Sequence, residues 1–298
     1  DAEIWESILQ DYHEQARKYP YMLKTKIRAG IPSHLRRRLW RVMCDADTDH
    51  WGSVYNNLLK QEIDPELERI IKVDVQRTFR SAEIFREEEG VGQTRLTNVL
   101  KAFSVYDTEC GYCQGLNCVV APLIIEGMSE VEAFSVLIRL MEDIKISSAT
   151  GRSKFPLRSL FIESLVGLHQ ILRFHDELVK IRLPVLYEHF ERHEIDATKY
   201  AQTWFLTLFS YQVPIPFVLR IMDIILSENA FETLLRFSLA LLRRNQSLLF
   251  ELSDMEAIVG VLKTSAIFKS YESNPEEWVE DAMEMTEYVI PYLASQSS

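Results

Sequence analysis

Apolar residues recur at three- and four-residue spacings along almost the whole chain, and that periodicity leaves few folds open. Ile4, Ile8 and Leu9 begin one stripe, and Leu35, Leu39, Trp40 and Met43 make another. Phe134, Leu137, Ile138 and Met141 follow Ser129, whose spacing to Glu132 reads as a reciprocal N-terminal cap. Further helical stretches are expected over 62–77, 95–107, 158–180, 184–192, 198–211, 215–227, 230–243, 246–251 and 254–263, with one more at 276–288 in an acidic tail. Alternating strand patterns with hairpin turns are absent. With only 10 Gly and 10 Pro to interrupt it, the chain reads as all-α with more than ten helices. It has no fixed-period repeat, which argues against a regular solenoid. No linker forces a split into independent domains, and the pattern leaves room for two helical lobes around a cleft.

The breaks carry turn chemistry: Gly30-Ile31-Pro32, Asp64-Pro65, Glu89-Gly90-Val91-Gly92 and Pro214-Ile215-Pro216. The polar segment 146–156 reads as an exposed loop. Net charge is −11, so polyphosphate backbones are repelled and nucleic acid is a poor partner. The longest apolar run, 118–125, is broken by Pro122 and too short to span a bilayer, so no membrane insertion is expected. The chain opens on acidic and aromatic residues rather than a charged-then-apolar leader, and without an initiator Met it reads as a piece of something longer. Four cysteines point to a reducing compartment rather than a disulfide scaffold.

Several motifs resemble known chemistry and fall short of it. Gly90-Val91-Gly92 lacks a preceding strand and a third glycine, and reads as a flexible turn rather than a dinucleotide site. No Walker-type phosphate loop occurs, so no cofactor of its own is expected. Cys110, Cys113 and Cys118 have no second pair to complete a metal site and read as buried thiols on a helix face; His169 and His175 stand six apart.

Arg36 and Trp40 share a helical face at i, i+4, so one arginine of the Arg36-Arg37-Arg38 run can turn inward to a carboxylate. Two further segments stand apart. In 71–79, Ile71 and Asp74 lie on one side of a helix ending near Arg77, which places Asp74 to bind Arg36 while Arg77 projects from the terminus. In 111–117, two glycines beside Gln114 and Asn117 describe a tight bend where backbone can approach a ligand. Taken alone, these segments read more simply as a surface arginine and a capped turn.

Together, and in order, they resemble the TBC (Tre-2/Bub2/Cdc16) domain, the all-α module of Rab GTPase-activating proteins. Gly30-Ile31-Pro32 with Arg36 and Trp40 matches the family's opening. Ile71, Asp74 and Arg77 fit IxxDxxR; Tyr112, Gln114, Gly115 and Asn117 fit YxQGxN. Leu183-Pro184 with His189-Phe190, the run 204–209, Pro214, and Leu219-Arg220 with Asp223 are similar too. The likeness covers about 25–265, which divides the chain into an N-terminal helical extension (1–24), the catalytic domain and an acidic tail packing on it (266–298). Arg80 departs from a frequent proline, and the loop 145–154 looks long.

The resemblance implies an activator with no reaction of its own. It would supply catalytic residues in trans to a GTP-bound Rab-family GTPase, which would itself carry the GTP and Mg2+. Arg77 would stabilise transition-state charge and Gln114 would position the attacking water in place of the GTPase's own glutamine. Asp74 and Arg36 would pair to hold the arginine's helix, with Trp40 beside them, while Tyr112, Gly115 and Asn117 shape the glutamine's loop. The expected setting is cytoplasmic vesicle trafficking, with peripheral recruitment to endomembranes by partners. The competing reading is a TBC-like module that binds a Rab, or acts as a scaffold, without stimulating hydrolysis.

Overall fold

The computed structural model describes residues 2–142, 155–271 and 274–296, and among them every regular element is helical. The loop expected over 146–156 lies outside these residues except for its end, where Phe155 stacks on Phe231 with ring centroids 5.2 Å apart. No helix is long and apolar enough to cross a membrane among the described residues.

Two helices form the centres of the packing. Leu116–Ile125 is apolar all round and buried from Leu116 to Ile124, as a helix without a polar face must be. Helices Pro65–Arg77, Val91–Tyr106 and Glu130–Glu142 pack around it. Ser129 and Glu132 start the last of these with the reciprocal cap, Ser129 N–H to Glu132 Oε2 at 2.7 Å and Glu132 N–H to Ser129 Oγ at 3.3 Å. Ala230–Arg244 is the second centre, enclosed by Val166–Arg182, Pro275–Glu284 and Thr286–Ser295. Helix Ile215–Ser227 touches both centres and joins the two groups. Trp278 of the tail is buried among Phe209, Phe217, Phe237 and Phe268, and donates its indole N–H to the Phe237 carbonyl at 3.1 Å.

Local geometry departs from periodicity in four places. The expected helix 198–211 is a short turn at Ala197–Lys199 and a helix only over Ala201–Leu206. Beyond it Leu208 and Phe209 take left-handed φ of 50° and 62°, and the turn lays Phe209 against Trp204 and Trp278. Apolar spacing at 204, 205, 208 and 209 is served as well by this bend as by a helix. The stretch at 158–180 is likewise split, with Leu165 left-handed before Val166–Arg182 begins. The tail holds two helices instead of one, broken at Met285. Gly90-Val91-Gly92 is no flexible turn: Gly90 caps helix Val91–Tyr106, and Gly92 lies inside it, where a Cβ would meet the Ile84 carbonyl oxygen at 2.2 Å.

A buried ionic cluster ties the N-terminal helix Pro20–Ala29 to the second centre. Glu228 accepts from Arg28 at 2.6 and 2.8 Å and from Arg236 at 2.8 Å. Burial raises the Glu228 carboxyl, but the two guanidiniums outweigh it and hold it down at about 2. A carboxyl depressed on folding stabilises fully above its unfolded value near 4.5, and this contribution is lost as pH falls from about 4.5 to about 2. Denaturant titrations across that window should therefore show a steeper acid loss for the native chain than for Glu228→Gln, which starts less stable at pH 7. Parallel slopes would refute the assignment.

Candidate functional site

Helix Pro65–Arg77 starts three residues later than the expected 62, at the Asp64-Pro65 break. Asp64 accepts from the Glu66 N–H at 2.8 Å, and Pro65 occupies the first turn, where a missing N–H costs nothing. Ile71 and Val75 are buried, which fixes the helix's rotation. Thr78 then turns extended, and its hydroxyl caps the Asp74 carbonyl at 2.7 Å. Arg77 is thus the last helical residue, with a side chain 56% exposed against 6% for Asp74.

Asp74 is the organising carboxylate. One oxygen accepts from Arg77 Nη2 at 2.5 Å, and the other from the Tyr112 hydroxyl at 2.8 Å. The Tyr112 phenol is raised by burial first and by the adjacent Asp74 charge second, so it stays a protonated donor. Asn117 connects the two segments: its Nδ2 donates to Thr78 Oγ1 at 2.8 Å and its Oδ1 accepts from the Gly115 N–H at 3.1 Å. Residues from two distant stretches thus form one hydrogen-bonded unit, with Arg77 at one end and the Gln114 bend at the other.

Gly115 sits at the start of helix Leu116–Ile125 with φ of 114°, and a Cβ there would lie 2.4 Å from the Leu206 carbonyl oxygen. Both the left-handed backbone and the close approach demand glycine. Gly115→Ala should therefore lower stability by about 1–3 kcal/mol and displace Gln114. An unchanged denaturation midpoint would count against this packing.

Gln114 is exposed, and it and Arg77 line a single open cleft of about 860 Å3. Its lining also includes Lys199 and Tyr211, from the stretch where a continuous helix was expected, and Lys263, at the end of the expected helix 254–263. No motif singled these three out.

Arg36 and Trp40 do not belong to this cleft, and Asp74 does not pair with Arg36. Arg36 is buried and gives its guanidinium to Asp223, Nε to Oδ1 at 3.0 Å and Nη2 to Oδ2 at 3.3 Å; the Trp40 indole N–H donates to the same carboxylate at 2.8 Å. The reason is supply: Asp74 is already occupied by Arg77 and Tyr112, whereas Asp223 lies inside the fold where Arg36 enters it. Arg220 completes the cluster at 3.1 Å and reaches Glu276 of the tail twice at 2.7 Å. Cys110 and Cys113 are not on a helix face either; they lie in the turn before Leu116–Ile125, and only Cys118 is helical. His175 is buried between the Tyr200 and Ser238 hydroxyls at 3.0 Å each, while His169 is exposed. Among the described residues no group of His, Cys, Asp and Glu is arranged to hold a metal ion.

Comparison with known proteins places this geometry. The family described as the Rab-GTPase-TBC domain matches residues 33–250. The human Ecotropic viral integration site 5 protein homolog is 34% identical over 256 residues, covering 86% of this chain and 30% of that protein. GTPase-activating protein GYP5 of Saccharomyces cerevisiae is 34% identical over 252 residues, covering 85% and 26%. The chain thus spans less than a third of the length of these relatives. Among solved structures, the Chlamydomonas flagellar RabGAP TBC domain superposes with a TM-score of 0.74 at 24% identity, over 94% of this chain and 90% of that one. The chain belongs to the Rab-GTPase-TBC domain family.

Proposed function

We propose that this domain accelerates GTP hydrolysis on a Rab-family GTPase by inserting Arg77 and Gln114 into the partner's nucleotide site. The observation that carries this reading is that both side chains are exposed on one cleft and are linked beneath it through Asp74, Tyr112 and Asn117.

Hydrolysis spreads negative charge over the transferring phosphoryl group, and a guanidinium brought into a site closed to water stabilises that charge strongly. In the free protein Arg77 is parked on Asp74. The guanidinium end of this pair is 56% exposed, and the buried Asp74 keeps the Tyr112 hydroxyl, so phosphate oxygens can compete for the arginine. Asp74 acts as a positioning residue, holding the guanidinium at the helix terminus until a partner arrives. Gln114 suits the other half of the chemistry, because its carbonyl accepts from a water while its NH2 donates. GTP and Mg2+ belong to the partner, which works at the surface of endomembranes and brings this domain there.

A panel of GTP-loaded Rab-family GTPases, assayed for phosphate release with and without this domain, tests the proposal. At least one should respond. For that partner, Gln114→Ala should reduce stimulation by about 10²-fold or more, and a partner lacking its own catalytic glutamine should still respond to the native domain. A panel with no responder favours a module that binds without stimulating, whereas a responder on which Gln114→Ala is unaffected removes Gln114 from the chemistry.

A further inference from the structure

The ionised side chains lining the cleft are Asp74, Arg77, Lys199 and Lys263 among the described residues. Asp74 is engaged by Arg77, which leaves the two lysines as uncompensated positive charge in the opening of a protein whose net charge is −11. Lys199 is half-buried in the turn Ala197–Lys199, and Lys263 is exposed in the last turn of Met255–Lys263. Neither has a carboxylate within 4.0 Å among the described residues; the nearest acid in sequence to Lys199, Asp196, caps the Thr198 N–H at 2.8 Å. These lysines come from elements other than those presenting Arg77 and Gln114.

We infer that Lys199 and Lys263 form a docking wall for carboxylate side chains on the GTPase, beside its nucleotide opening. This rests on the proposed activity and adds the chemistry of the partner surface. Lysine is well suited to such a wall, since a hydrated point charge on a flexible stem attracts over distance without needing bidentate geometry. Charge of one sign gathered in a cleft raises encounter rates, and salt weakens it once the separation exceeds about 10 Å at 0.1 M. A wall of this kind acts on association and leaves the chemical step to the fingers.

The test uses a responsive GTPase and the double variant Lys199→Gln/Lys263→Gln. At low ionic strength KM should rise about tenfold while kcat stays within about twofold, and the gap should close by about 0.5 M salt. Binding of the same GTPase loaded with a non-hydrolysable GTP analogue should weaken by the same factor, independently of turnover. Lys199→Arg/Lys263→Arg, which keeps the charge, should restore both. An unchanged KM and affinity would overturn the inference, as would a fall in kcat equal to the rise in KM, which would place the lysines at the reacting phosphate. If no GTPase responds to the native domain, the proposed activity fails; if one responds and the lysines leave its KM and affinity unmoved, only this inference does.

Discussion

On the proposed mechanism Arg77→Lys should reduce stimulated hydrolysis by about 10³-fold or more, although it keeps a positive charge at the helix terminus. The loss reflects shape. The guanidinium is a planar fork able to meet two phosphate oxygens at once, and an ammonium on a shorter reach is not. An arginine supplied in trans contributes about 10³–10⁵ in rate to this class of reaction, or about 4–7 kcal/mol of barrier. Because Arg77 is exposed and its only ionic partner among the described residues is Asp74, the substitution should leave thermal stability within about 0.5 kcal/mol. Single-turnover phosphate release at saturating domain isolates the effect in the chemical step. A lysine variant retaining more than a tenth of native stimulation would remove Arg77 from the chemistry.

Asp223→Ala has its large effect on stability instead. Asp223 is fully buried and accepts from Arg36, Arg220 and Trp40, so its removal takes from two guanidiniums the buried carboxylate they share. Breaking a buried pair of this kind costs about 3–5 kcal/mol, a large fraction of the roughly 5–15 kcal/mol that holds a domain folded. Arg220 keeps Glu276 and backbone carbonyls, and Arg36 keeps the Ile31 carbonyl at 3.2 Å and Glu126 at 3.6 Å, so the loss is partial. Denaturant unfolding reads it directly. Since neither Arg36, Trp40 nor Asp223 lines the cleft, kcat per folded molecule should be unaffected. A fall in kcat without a fall in stability would contradict the assignment of Arg36 and Trp40 to the core.

The helical class was readable because period-3.6 patterning is a local property, present in any window of the chain. The cap at Ser129 was readable for the same reason. Partner choice was not. The face of Asp74 follows from its spacing to Ile71, but which cation meets it depends on contacts that no window contains. Arg36 found its carboxylate 187 residues away, and the spacing argument offered only the nearer candidate. The arginine and glutamine of the cleft were picked out by ordered motifs resembling a family, whereas Lys199, Tyr211 and Lys263 sit in stretches with no motif at all. The bend at Leu208 and Phe209 escaped because its buried positions obey helical spacing while its backbone does not.

The tail has a consequence for where this domain ends. The family match stops at Phe250, yet Trp278 fills the space between helices that lie before that point, and Glu276 neutralises an arginine that also serves Asp223. The family model and the packed unit therefore have different limits in this chain. A polypeptide cut at Phe250 would leave the aromatic wall around Phe237 without Trp278 and Arg220 without Glu276, one of its two counterions, and would inherit the motifs without that enclosure.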